Sequence, residues 1–163
     1  MTAATTTPET STQKPIGLPQ SAAVLAYAGA LPLVAMALLS VARPTDIGSI
    51  AREFMIIYGG VLIAFFGGVR WGVAVMRRNG PSFKSLLGAI IPLMIAVPIF
   101  YLHDDRARLL LIIAALPALL IDDLKATRRG SGAPDWYLGV RTPLTLLMTV
   151  SFAITFAQSV SMP

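Results

Sequence analysis

Apolar residues are gathered into five long blocks, 22–41, 54–76, 86–102, 109–124 and 142–160, and most charged residues lie in the segments outside them. They are not spread along one stripe, as on a helix packed against a soluble core. A helix of about 20 mainly apolar residues crosses the roughly 30 Å hydrocarbon core of a bilayer. The pattern therefore predicts an all-α polytopic transmembrane bundle of about five spans over 21–163, preceded by a Thr/Ser/Pro/Gln-rich tail over 1–20 that is expected to be disordered. Blocks three and four are short, and the third contains Pro92 and Pro98, so a re-entrant pair is the alternative there.

Composition removes the soluble alternative, because 55% of residues are hydrophobic and only 13% are charged. With no cysteine and a single histidine, His103, thiol chemistry and cysteine/histidine metal sites have no ligands, and neither cofactor nor metal is expected. The net charge of +5 does not point to nucleic acid, since the basic residues lie in loops between apolar blocks. Under the five-span arrangement Lys14, Arg77, Arg78, Lys84, Lys125, Arg128, Arg129 and Arg141 share one side, against Arg43, Arg52, Arg106 and Arg108 on the other. The excess places the N-terminus in the cytoplasm and the C-terminus on the opposite side. The tail lacks the arginines of a mitochondrial presequence. Ser40-Val41-Ala42 looks like a cleavage site, but the apolar run before it is too long for a signal core and holds Pro32. Trp136 and Tyr137 fit an interfacial aromatic belt.

Block two carries the most information. Gly60, Ala64, Gly68 and Gly72 repeat every four residues and are expected to form a side-chain-poor stripe that another helix approaches closely. Arg70 falls on the other face, with Gly59, Ile63, Phe66, Gly67 and Ala74, which predicts a central helix with two occupied faces. At 1.5 Å per residue Arg70 stands about 24 Å along the block and Asp122 about 20 Å along block four, which runs the same way, so the two charges share a depth. A charge at that depth requires a partner or a route to the interface. Asp122-Asp123 ends a helix whose dipole it opposes, and Arg70, Lys125 and Arg141 are the cations within reach. Adjacent aspartates point about 100° apart, so only one of the two faces the bundle.

The acidic pairs Asp104-Asp105 and Asp122-Asp123 invite comparison with magnesium-dependent membrane transferases, but they belong to opposite sides of the membrane and cannot share an ion. No phosphate loop, nucleophile elbow or His–Glu metal motif is present, so no catalytic residue is assigned and no enzyme is expected.

Gly29-Ala30-Leu31-Pro32, Tyr58-Gly59-Gly60 leading to Phe66-Gly67-Gly68-Val69-Arg70-Trp71-Gly72, and Ala133-Pro134-Asp135-Trp136-Tyr137-Leu138 followed by Arg141 and Pro143-Leu144-Thr145 carry a resemblance. Together they resemble an uncharacterised family of small multi-span proteins of proteobacterial inner membranes with animal mitochondrial relatives. The resemblance covers roughly 22–160 and implies location and architecture without a reaction. It also implies that histidine is admitted at the position of Arg70. The reading that follows is a non-catalytic component or accessory of a membrane assembly, with the bilayer and a membrane-protein partner as its surroundings. The alternative is a small permease or lipid-binding protein in which Arg70, Trp71 and Arg141 hold an anionic group or anionic lipid.

Overall fold

The computed structural model describes residues 19–42, 46–130, 133–134 and 136–161; all but Pro19 and Gln20 of the polar tail lies outside the described residues. Five helices follow one another: α1 Gln20–Ala42, α2 Asp46–Val75, α3 Phe83–Tyr101, α4 Asp105–Arg128 and α5 Trp136–Ser161. The chain is an all-α polytopic membrane bundle, in which α1, α2, α3 and α5 are long and apolar enough to cross a bilayer. Helix α4 falls short because only 109–121, about 20 Å of helix, separate Arg108 from Asp122. That is less than a bilayer core, so both charged ends of α4 need partners from other helices.

Helix α2 packs on α1, α3 and α4, while α4 packs on α3 and α5, and α5 closes the bundle against α1. The shared core is built from Leu33, Met55, Ile56, Ile63, Ile112, Leu116, Met148 and Phe152, all essentially inaccessible. The inner face read for α2 from the sequence is buried, since Gly59, Ile63, Phe66, Gly67 and Ala74 all lie inside.

Within the chain, only part of the expected glycine stripe is in contact with another helix. A Cβ on Gly60 would meet the Phe100 ring at 2.8 Å, and Ala64 packs partly against the core, but Gly68 and Gly72 have nothing within 4 Å of the space a side chain would take. The reason is angular: each four-residue step turns about 40° past a full circle, so by Gly72 the row has drifted about 120° from Gly60. Seven-residue spacing drifts only about 20°, and Gly67 therefore shares the α3-facing side with Gly60. There a Cβ on Gly67 would stand 2.8 Å from the Ala89 carbonyl oxygen and 3.3 Å from Pro92 Cβ, so this glycine sets how closely α2 and α3 approach. Gly59 does the same toward Ile112 and Phe152.

The prolines Pro32, Pro92, Pro98, Pro117 and Pro143 lie within helices that continue through them. Pro92 has no N–H for the Gly88 carbonyl, which is one of the acceptors used by Arg70, as described below. Along α5 the hydroxyls of Thr145, Thr149, Ser151 and Thr155 donate to the carbonyls one turn back, so these polar residues are satisfied within an apolar surrounding.

Candidate functional site

Arg70 leaves α2 near its C-terminal end and reaches between α3 and α4. Its Nε donates to Asp123 Oδ1 at 2.7 Å, its Nη2 to the Leu119 carbonyl at 2.7 Å, and its Nη1 lies 3.0 Å from Asp122 Oδ2 and 3.4 Å from the Gly88 carbonyl. Every nitrogen of the guanidinium is thus engaged. A histidine, with two ring nitrogens, could make at most two of these contacts. The two aspartates divide as helical geometry requires: the Asp123 side chain is 8% exposed and that of Asp122 is 64% exposed. Arg141, from the first turns of α5, places its Nε 3.3 Å from Asp123 Oδ2. Its Cζ sits 3.2 Å from the centroid of the Phe66 ring, a cation–π contact that ties α5 to α2. Its two Nη atoms are buried and donate no hydrogen bond, so the aromatic face carries that part of the charge.

Two arginines and two aspartates from α2, α4 and α5 therefore cancel in charge at one end of the bundle, where α4 carries the negative end of its dipole. Of the residues singled out from the sequence, Arg70, Asp122, Asp123 and Arg141 meet here. Trp71 does not: it is 45% exposed on the outward side of α2. Tyr137 and Trp136 contact each other edge to face at the start of α5.

A second network occupies the other end and was not foreseen. Arg108 is 7% exposed; its Nη1 and Nη2 donate to the two carboxylate oxygens of Glu53 at 2.7 and 3.0 Å, and Nη1 also reaches Asp105 at 3.2 Å. Its Nε caps the Ile99 carbonyl at the end of α3, and Arg106 caps Ser159 at the end of α5. These carbonyls lie in last turns, where no amide of the same helix is available. Asp104 serves as the N-cap of α4, and His103 is exposed in the loop before it. The depth argument used for Arg70 would have found this pair, because Glu53 and Arg108 each immediately precede an apolar block starting from the same side. The fork of Arg108 on Glu53 is the bidentate arrangement that lysine cannot form.

Beside the Arg70 cluster a groove of about 580 Å³ opens between α2, α3 and α4. Val69, Val73, Leu87 and Ile91 form its apolar walls, while Arg77, Lys84, Arg129 and Tyr137 bring polar groups to it. Among the described residues no group of three or more histidine, cysteine or acidic side chains is arranged to hold a metal ion.

Comparison with known proteins gives a family and no reaction. The chain is similar to transmembrane protein 69 of Mus musculus, 26% identical over 140 residues, covering 84% of this chain and 56% of that protein. It is similar to transmembrane protein 69 of Xenopus tropicalis, also 26% identical over 144 residues, covering 86% of this chain and 55% of that protein. The chain thus spans about half the length of these curated relatives. No solved structure matches it. Residues 18–157, which take in every charged side chain of both networks, match one family throughout, and the chain belongs to it: DUF3429, a protein family of unknown function.

Proposed function

We propose that this protein is a non-catalytic accessory of a larger membrane assembly, held in a bacterial inner membrane with its N-terminus in the cytoplasm. The observation that supports the reading is the outward position of Gly68 and Gly72. Both leave open space on α2 where a side chain would stand, beside the exposed Phe65 and Trp71. Lipid tails gain little from a bared backbone, whereas a second helix packs closely against small residues. The charged side chains inside the bundle answer one another rather than a substrate. With every nitrogen of Arg70 already engaged, an anion there would have to displace a carboxylate, which disfavours a permease built around that residue.

Native purification in mild detergent tests the accessory role. The wild-type chain is expected in a complex well above the mass of its own 17.3 kDa chain and micelle. Gly68→Leu is expected to release it as a free chain whose unfolding midpoint is no lower than that of the free wild-type chain. A wild-type chain that elutes alone, or a variant that stays in the complex, contradicts the reading. Orientation has its own check: a reporter fused after Pro163 is expected to be active only outside the cytoplasm, and one fused after Gly130 only inside. Both active on the same side would overturn it.

A further inference from the structure

The groove beside the Arg70 cluster has the chemistry of a lipid site, and we propose that it binds the phosphate of an anionic phospholipid through Lys84 and Arg129, with the lipid's apolar part against α2 and α3. Its volume of about 580 Å³ lies within the range of small-molecule pockets. Asp122 and Asp123 also line it, but they are bound by Arg70 and Arg141, so those four charges cancel. Lys84 and Arg129 take no part in the ion pairs among the described residues, and their two charges leave this part of the groove positive.

Position supports the charge argument. Lys84 stands in the first turn of α3, where the positive end of the helix dipole adds to its charge, while the Ser82 and Ser85 hydroxyls are engaged with each other and with the Ser82 carbonyl. One to two turns further along the same helix, Leu87 and Ile91 face Val69 and Val73 of α2 across the groove, which suits glycerol and acyl carbons and offers nothing to a free anion. The exposed Met76 and Phe83, 85% and 82% accessible, flank the α2–α3 turn and offer apolar side chains to lipid beside the groove. Juxtamembrane basic residues attract anionic headgroups by charge alone; here the apolar walls add a reason for a defined site.

Unfolding midpoints of the delipidated chain in neutral detergent test this. Added phosphatidylglycerol is expected to raise the wild-type midpoint saturably, whereas phosphatidylcholine or inorganic phosphate is not. The pair Lys84→Ala/Arg129→Ala is expected to weaken the phosphatidylglycerol response about tenfold or more. Lys125→Ala/Arg128→Ala removes the same charge from the same end outside the groove, and is expected to change it by less than about twofold. Equal losses in both pairs would reduce the effect to diffuse charge and overturn the site, and a response to inorganic phosphate equal to that to phosphatidylglycerol would make it an anion site without lipid. Should the first pair fail to fold, native mass spectra of the wild-type chain decide: one retained anionic phospholipid per chain supports the proposal, and none overturns it.

Discussion

Arg70→Ala is expected to destabilise the bundle by about 3 kcal/mol, the order seen when one member of a buried ion pair is removed. The cost arises less from the lost attraction than from what remains. Asp123, 8% exposed, keeps only Arg141, and the Leu119 and Gly88 carbonyls lose the donor from α2. Arg70→Lys is expected to recover only part of the loss, because an ammonium cannot span two carboxylates and two carbonyls from one fixed plane. Asp122→Asn should cost less than about 1 kcal/mol, since that carboxylate is 64% exposed and solvent screens it. Denaturant unfolding in detergent gives all three values. An Arg70→Ala variant as stable as Asp122→Asn would mean the inner pair carries no weight.

Gly67→Ala and Gly68→Ala, a single methyl group placed at neighbouring positions, are expected to act in opposite directions. At Gly67 the new Cβ meets the Ala89 carbonyl oxygen at 2.8 Å, and because that atom is backbone, α2 and α3 must separate to admit it. Overpacking of this kind costs about 1–3 kcal/mol. At Gly68 the methyl enters open space, and the gain in helix propensity over glycine is up to about 1 kcal/mol. Unfolding midpoints of the two variants decide it: equal shifts would mean that α2 and α3 do not meet at Gly67.

The helices and the inner face of α2 were legible because each depends on local pattern. Runs of apolar residues define helices in a bilayer, and 100° per residue places Arg70 with Gly59, Ile63 and Phe66. Which glycines bear a contact was not legible. Four-residue spacing suggested one row, but the row winds around the helix, and only the partner's position decides where Gly60 and Gly67 count and Gly68 does not. The depth of Arg70 and Asp122 was readable from the rise of the helix, yet the division of labour between Asp122 and Asp123 depends on how α4 is rotated, which α3 and α5 fix. Glu53 and Arg108 were overlooked at block ends, where charges look like loop residues, although both open blocks that start from the same side. The cation–π contact of Arg141 with Phe66 lies across α5 and α2, and no sequence spacing announces it.

The account rests on Arg70 and Asp123 acting as a structural fastener between α2 and α4, and a double-mutant cycle in delipidated detergent measures that directly. Arg70→Ala, Asp123→Ala and the double variant are expected to show a coupling on the order of 1 kcal/mol or more, the double variant losing less than the sum of the single losses. Additive losses would show that the two residues stabilise the protein independently and would contradict the fastener.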